Sequence, residues 1–357
     1  MIFIVIISLS VLVLIHELGH FLSAKFFGVK VEEFGFGFPP RVFGKKIGET
    51  VYSLNLLPFG GFVKIFGEDG SERKKSTTTM TMTTIAKDSF SFQPIWKRSV
   101  IVLAGIFMNI ILGWLILSGV FTIGSPEHLM LNDVVKNSPA EIAGIKLGDI
   151  VLEVKNDDSV LKDPVKSEQF VSLVKNNPSS VFELKILRDK QTLDFKVLGR
   201  ENPPAGEGAL GVSLTDIGFP RENLFLSLWD GLKRTLQMLK LMLFSFVQLF
   251  TQIFINPEIV GSITGPVGIY SVATQAGSLG FIYFFELIAL ISLNLAVLNF
   301  LPFPALDGGR FLFFLIEKIK GTPLSLKFQT IANTAGFVFL VGLMLIVTVQ
   351  DVIKLID

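Results

Sequence analysis

Three ionisable residues stand close together in an otherwise apolar segment at the start of the chain. Residues 1–27 read MIFIVIISLSVLVLIHELGHFLSAKFF, with His16, Glu17 and His20 in the second half. Side chains four residues apart share one face of a helix, so the two imidazoles can bind one metal ion. In this H-E-x-x-H pattern the glutamate is the general base towards a water molecule on the metal. Ionisable side chains at membrane depth are costly and usually serve a function, so the segment is a candidate hydrolytic metal site.

A third protein ligand is needed, because a catalytic zinc site has three protein ligands and one open position. The chain contains no cysteine, so this ligand must be a histidine or a carboxylate. Asp307, in NLAVLNFLPFPALDGGR, is the candidate, since it follows a later apolar segment at a depth similar to that of His16. Glu286 belongs to the same segment but lies near its opposite end. Two prolines just before Asp307 are expected to break the helix there.

Composition places the chain in a membrane. Half of its 357 residues are hydrophobic, 35 of them are phenylalanine, and the mean hydropathy is +0.59. The formal net charge is only +1, so no basic field points to nucleic acid as a partner. The absence of cysteine excludes disulfides and thiolate ligands but does not identify a compartment.

Four segments are long and apolar enough to cross a bilayer. Their predicted bounds are residues 1–27, 95–123, 281–310 and 331–350. The first has no basic start and no small-residue cleavage site, so we expect a retained transmembrane helix and not a signal peptide. A fifth apolar stretch, residues 224–255, is interrupted by four charged residues. We expect an amphipathic helix at the membrane interface there, within a connector of residues 223–280.

Basic residues near the segment ends predict the orientation of the chain. They follow the first segment, begin the second and separate the last two: Lys25, Lys30, Lys97, Arg98, Lys318, Lys320 and Lys327. This pattern places the loops of residues 28–94 and 311–330 in the cytoplasm. Both termini and the polar region of residues 124–222 are then extracytoplasmic.

The first loop contains strand-like sequence that is too apolar for a free cytosolic loop. We expect a membrane-associated β-hairpin there, with turns at residues 58–61. A helical substrate must unwind before hydrolysis, and a strand edge within residues 51–65 could hold it by β-augmentation. Asn299 could hold a substrate carbonyl, or could equally cap or pack in its helix. The polar stretch of residues 71–89 is low in complexity, and we expect it to be mobile.

Several motifs together resemble the site-2 protease family of zinc intramembrane metalloproteases. They are HELGH, the GFG of residues 35–37, the hairpin, NFLPFPALDGG, and GSITGPVGIY at residues 261–270. SPAEIAGIKLGDIVLEVKN, within residues 124–222, resembles the bacterial PDZ pattern. The implied fold is an α-helical polytopic membrane protein of four transmembrane helices, with the membrane-associated β-hairpin and one small α+β PDZ domain.

The resemblance also implies roles for individual residues. Zn²⁺ is bound by His16, His20 and Asp307, and Glu17 is catalytic. Substrate-binding residues are expected at the motif glycines and in the third membrane segment: Gly35, Gly37, Gly60, Gly61, Asn299 and Pro302. The sequence departs from the family in having room for one PDZ module where some members have two, and in having Ile106 where proline is usual.

The implied substrates are single-span membrane proteins, of the anti-sigma factor or remnant signal peptide type. An upstream extracytoplasmic protease cuts them first, and the PDZ domain limits access by large substrates. Membrane lipid is the other implied partner, and the implied location is the bacterial inner membrane.

Two other classes of protein share parts of this sequence pattern. One is a non-proteolytic PDZ receptor or scaffold with a vestigial metal site, which retention of both histidines, the glutamate and the aspartate disfavours. The other is a transporter or channel that uses intramembrane His and Asp as a cation path. A transporter would call for repeated halves or several broken helices, whereas the sequence has one broken helix and no repeat.

Overall fold

The computed structural model describes residues 2–68, 88–156, 159–163, 165–188, 191–204, 206–252 and 265–356. The chain forms two compact units. Unit 1 comprises residues 1–118 and 228–357, and unit 2 comprises residues 119–227. Most of the stretch expected to be mobile and the first four residues of GSITGPVGIY lie outside the described residues.

Four helices are long and apolar enough to cross a membrane, as the sequence predicts. They are α1 (Ile2–Phe26), α2 (Ile95–Ile123), α7 (Phe281–Phe300) and α9 (Leu326–Ile356). Three further α-helices of unit 1 lie among the described residues: α5 (Leu224–Gln252, whose first residues belong to unit 2), α6 (Pro266–Leu279) and α8 (Asp307–Lys320). Helix α5 is not among the membrane-spanning candidates in the described chain.

The third apolar segment is broken before Asp307, as the two prolines predict. Helix α7 ends at Phe300, and α8 begins at Asp307 as a separate helix. A Cβ on Gly308 would lie 2.3 Å from the carbonyl oxygen of Leu301, and one on Gly309 would lie 2.1 Å from that of Phe303. Only glycine fits this tight turn, which places Asp307 at the start of α8.

The β-hairpin consists of two long strands, β1 (Val31–Ile47) and β2 (Thr50–Ile65). Residues 33–36 of β1 align with residues 51–54 on one side and with residues 61–64 on the other. Residues 50–55 also pair with residues 41–47. The first half of β2 is therefore internal, whereas residues 61–65 pair on one side only among the described residues. We call residues 60–65 the edge segment.

The predicted turn at residues 58–61 is wrong. Gly48 and Glu49 connect the two strands, and Gly48 has a φ of 62°. This left-handed conformation suits glycine in a tight two-residue hairpin turn. Residues 58–61 instead form a corner inside β2, because Leu57 pairs with Phe38 while Gly61 pairs with Phe36.

Unit 2 is a small α+β unit. Its strands are β3 (Ser125–Val134), β4 (Ile150–Lys155), β5 (Val160–Lys162), β6 (Val181–Arg188), β7 (Gln191–Leu198) and β8 (Val212–Phe219). They form an antiparallel sheet in the order β7-β6-β4-β3-β8, with β5 paired to β4. Two helices accompany the sheet, α3 (Pro139–Ile142) and α4 (Ser167–Asn176).

The helix start that the sequence predicts at Ser138–Pro139 and the apolar core of unit 2 are both present in the structure. Ser138 caps α3 by accepting a hydrogen bond from the Glu141 N–H (3.2 Å), with Pro139 at the first helical position. Apolar side chains of the sheet and α4, among them Phe170 and Phe182, form one buried core. Burial of this core stabilises unit 2 in the way usual for a protein in water.

Candidate metal centre

Helix α1 carries three of the predicted site residues on its second half. His16 and His20 are both buried at 8% exposure, and their Nε2 atoms lie 3.2 Å apart. The helical spacing of four residues produces this approach, because it places both rings on the same face. Glu17 lies next to them in the sequence.

Helix α8 brings the third predicted ligand to the two histidines. Asp307 Oδ2 lies 3.0 Å from His16 Nε2 and 3.3 Å from His20 Nε2. These three residues are the group in the described chain whose donor atoms could hold a metal ion. Asp307 Oδ2 is also a buried oxygen without a hydrogen-bond partner among the described residues.

The donor set fits zinc. Zinc takes histidine nitrogen and carboxylate oxygen at about 2.0–2.2 Å, so donor atoms of a tetrahedral site stand about 3.3 Å apart. The three observed separations, 3.0, 3.2 and 3.3 Å, agree with that requirement. Two neutral imidazoles and one carboxylate leave a fourth position for water or substrate.

Close packing of α1 against α2 shapes the site. A Cβ on Gly19 would lie 2.4 Å from the carbonyl oxygen of Ala104, and one on Gly105 would lie 2.5 Å from His20 Nε2. Glycine at both positions lets the helices approach while leaving room for the imidazoles. His20 Nδ1 lies 2.8 Å from the carbonyl oxygen of Ile101 and donates to it, which leaves the Nε2 lone pair for a metal.

Asn109 on α2 is a site residue that the sequence alone did not assign. It is fully buried, and its Nδ2 lies 3.3 Å from His16 Nδ1. Its Oδ1 has no hydrogen-bond partner among the described residues. The two ends of an amide are nearly interchangeable in shape, so a rotated amide accepts from His16 Nδ1–H through Oδ1. That arrangement satisfies Oδ1 and leaves His16 Nε2 free to bind a metal.

Glu17 faces the edge segment of the hairpin. Its Oε2 accepts a hydrogen bond from the Val63 N–H at 3.1 Å. The outward N–H of Val63 therefore points towards the metal centre. A second contact fixes the edge segment on α1, since the Gly60 N–H donates to Ser10 Oγ at 3.3 Å.

The four predicted glycines occupy crowded positions in the hairpin. A Cβ on Gly35 would lie 2.4 Å from the Phe62 ring, and one on Gly37 would lie 2.5 Å from the carbonyl oxygen of Leu57. Cβ atoms on Gly60 and Gly61 would lie about 3.1 Å from side chains of α1. These glycines bring the strands close to each other and the edge segment close to α1.

Asn299, in the last turn of α7, and Pro302, between α7 and α8, do not join the cluster. Asn299 is half-buried near the end of α7, and Pro302 is exposed in the turn that follows. Among the described residues, no hydrogen bond connects Asn299 to the three ligand side chains. Their assignment to substrate binding stays a prediction.

The fold and this cluster define a membrane metalloprotease, and comparison with known proteins identifies the class. The pattern of peptidase family M50 matches residues 4–343. The chain therefore belongs to peptidase family M50, the site-2 protease family. It is a zinc metalloprotease.

Several relatives match over almost their whole length. A Clostridium perfringens protein, provisionally named as a zinc metalloprotease, is 36% identical over 347 residues, 97% of this chain and 96% of that protein. Regulator of sigma-W protease RasP of Bacillus subtilis is 29% identical over 422 aligned positions, 98% of this chain and 97% of that protein. Zinc metalloprotease RasP of Oceanobacillus iheyensis is 27% identical, with 98% of each chain covered.

Proposed function

We propose that this protein is an intramembrane endopeptidase that cleaves single-span membrane proteins within or near the bilayer. One observation carries the proposal. The His16, His20 and Asp307 donor atoms converge within 3.3 Å of one another, and α1, which bears both histidines, is long and apolar enough to cross a membrane. A buried metal cluster on such a helix is suited to cleaving a peptide bond at membrane depth.

The residues around the cluster have distinct tasks in this mechanism. His16, His20 and Asp307 hold zinc, which when bound supplies Lewis acidity for amide hydrolysis. Glu17 Oε2 accepts the proton of the attacking water and passes it to the departing amide nitrogen. The backbone carbonyl of Ile101 and the amide of Asn109 hold the two imidazoles with Nε2 directed at the metal position.

We assign substrate capture to the edge segment. An unwound substrate can add to it as a further strand, with backbone hydrogen bonds supplying affinity without dependence on side chains. The contact between the Val63 N–H and Glu17 supports this assignment, because it places the strand edge beside the general base. The expected substrate-binding role of Gly60 and Gly61 is then to keep this edge against α1.

The family and one relative's name support a proposal for the substrate class. The relative from Bacillus subtilis is named regulator of sigma-W protease RasP. By analogy, the substrates are anti-sigma factors or remnant signal peptides that an upstream extracytoplasmic protease has already trimmed. The location is the bacterial inner membrane, with both termini and unit 2 extracytoplasmic and with lipid around the four membrane helices.

Unit 2 is assigned as a PDZ domain that limits access by untrimmed substrates. Its antiparallel sheet ends in β8, which pairs with β3 on one side only in the described chain. A cavity of about 320 Å³ lies beside β8 and α4, lined by apolar side chains such as Phe170 and Leu214 and by Arg200. A strand edge next to an apolar groove suits a bound peptide.

The experiment uses purified protein in liposomes with a single-span substrate tagged on its cytosolic end. The substrate is prepared in two forms, one with its outer domain and one trimmed to a short outer tail. We expect the wild type to release a shorter cytosolic fragment from the trimmed form alone, with the cut inside the membrane segment. Cleavage of neither form by zinc-loaded protein would overturn the proposal, and equal cleavage of both would overturn the role of unit 2.

A further inference from the structure

Unit 1 contains a cavity of about 550 Å³ that is separate from the metal ligands. Its wall is formed by the end of the edge segment and the turn after it, by Arg98 of α2, by α8 and by the start of α9. We call it the α8 cavity. Its volume falls within the range of about 300–1,000 Å³ that is usual for ligand pockets.

An ion pair borders both the α8 cavity and the metal centre. Arg310 follows Asp307 by one turn of α8 and pairs with Glu68, the last described residue after the edge segment. Both residues line the cavity. Arg310 also interacts electrostatically with Asp307 and Glu17. The pair therefore lies between the metal centre and the α8 cavity.

The direction of the edge segment leads into this cavity. Val63 directs its N–H at Glu17, and the next residues of the chain, Lys64 to Glu68, all line the cavity. A substrate strand that is added beside the edge segment follows the same line, from Val63 towards Glu68. Substrate residues on one side of the bond held near Glu17 therefore extend towards Arg310 and the α8 cavity.

The charges that line the cavity are balanced. Three acidic and three basic side chains form three pairs: Glu32 with Lys64, Glu68 with Arg310, and Glu317 with Arg98. Four phenylalanines also line the cavity: Phe66, Phe90, Phe313 and Phe314. Among the described residues the lining therefore has no excess charge to receive an ion, whereas it suits the dipoles and apolar side chains of an uncharged peptide.

We propose that the α8 cavity is a substrate subsite that binds a short, uncharged stretch of extended chain on one side of the cleaved bond, past the Glu68–Arg310 pair. The subsite rests on the proposed function. It adds a requirement for the substrate outside the membrane helix itself. The charged side chains of the described lining are already paired with one another, so a charged substrate side chain would lose water and would have to break one of these pairs to gain a partner.

Cross-linking tests the position of the substrate directly, because the chain has no cysteine of its own. Thr334 lines the cavity from α9 and is exposed, so Thr334→Cys introduces a single thiol there. The matched control is Leu345→Cys on the same helix, at an exposed residue away from the cavity lining. Both variants are made in the Glu17→Gln background and mixed with substrates that carry one cysteine at successive positions.

We expect oxidation to join Thr334→Cys to a few consecutive substrate positions on one side of the cleaved bond, and Leu345→Cys to none of them. Substrate that stays bound to the protein but forms no disulfide with Thr334→Cys would overturn the subsite. Disulfides spread equally over both sides of the cleaved bond would also overturn it. Wild-type cleavage of the same substrates separates this failure from that of the proposed function. If the wild type cuts them and no cross-link forms, the subsite alone is wrong.

A kinetic measurement on the unmodified enzyme provides a second test. Aspartate or lysine is placed at the cross-linked substrate positions, and KM and kcat are compared with those for alanine at the same positions. We expect KM to rise roughly tenfold with kcat little changed, because the charge is desolvated on binding. Equal KM values for the charged and alanine substrates would contradict an uncharged subsite.

Discussion

The two units differ in how they expose apolar side chains. Unit 2 has one buried apolar core, with Leu129 and Phe182 at 0% exposure, and its buried Asp149 is paired with Arg188. In unit 1, Phe337 is 61% exposed on α9 while Asn109 is fully buried on α2. Unit 2 follows the rule for proteins in water, whereas apolar helices that face lipid have no need to hide their hydrophobic surface.

The difference indicates which buried residues have a functional role. In unit 2 a buried apolar side chain is explained by stability alone. In unit 1 the buried polar side chains require another reason, because a polar group in an apolar environment is costly unless it is paired. His16, His20 and Asn109 meet at the metal centre, and Arg98 meets Glu317 beside the α8 cavity. Substitutions of buried polar groups in unit 1, with matched substitutions in unit 2 as controls, test this difference.

The largest effect is expected from removing a metal ligand. His16→Ala or Asp307→Ala leaves two protein donors, so the purified variant is expected to lose its zinc and its proteolytic activity. The matched control is His128→Ala in unit 2, the chain's third histidine, which pairs with Asp163 at 2.8 Å. Atomic absorption measures the zinc content of the ligand variants and of the control. Full zinc in His16→Ala, or zinc loss in His128→Ala, would contradict the assignment.

The next largest effect is expected on stability. Arg98 donates two hydrogen bonds to Glu317, at 3.1 and 2.7 Å, and both side chains are nearly buried. Arg98→Met leaves the glutamate unpaired and is expected to lower the free energy of unfolding by about 3–5 kcal/mol. Denaturant unfolding in detergent measures the loss. The double variant Arg98→Met/Glu317→Leu is expected to recover most of it, and a double variant as unstable as the single one would contradict this account.

A smaller effect is expected at Asn109. Asn109→Leu removes the partner of His16 Nδ1 without touching a ligand, and is expected to weaken zinc binding by about 10–100-fold. Competition with a chelator measures the affinity. Asn109→Asp, which can still accept from Nδ1–H, is expected to retain tight binding. Equal affinities for Asn109→Leu and the wild type would show that the contact does not position His16.

The smallest effect is expected from an exposed pair in unit 2. The hydrogen bond from Lys196, and then its charge, hold the pKa of the Glu183 carboxyl below its usual value. A carboxyl with a lowered folded-state pKa contributes stability above its unfolded pKa, and that contribution is lost as the pH falls through the folded pKa. The melting temperature of Glu183→Gln should therefore fall slightly below that of the wild type at about pH 7 and converge with it at about pH 3. A difference in melting temperature that grows as the pH falls would contradict this prediction. The control is Glu168→Gln, on the exposed side of α4.

Sequence patterns were sufficient for the parts of the site that local spacing determines. His16, Glu17 and His20 lie within five residues, and the prolines before Asp307 indicate the break between α7 and α8. The four apolar helices follow from composition alone. In unit 2 the Ser138–Pro139 signal corresponds to the cap of α3.

Asp307 was placed with the histidines by its expected depth in the membrane, but the other contacts between distant residues could not be predicted from local spacing. Val63 lies 46 residues from Glu17, Asn109 lies 93 residues from His16, and Arg98 lies 219 residues from Glu317. No periodicity links such partners. The hairpin turn was misplaced for a related reason, since proline and glycine also mark a corner inside a strand, and only the pairing of β2 with β1 distinguishes the two.

The central claim is that His16, His20 and Asp307 hold zinc while Glu17 moves the proton. Zinc content and cleavage rate, measured together on purified wild type and Glu17→Gln, test it most directly. We predict about one zinc per chain in both proteins and a cleavage rate about 10²–10⁴-fold lower in Glu17→Gln. Cleavage by Glu17→Gln at the wild-type rate, or loss of zinc together with activity, would contradict it.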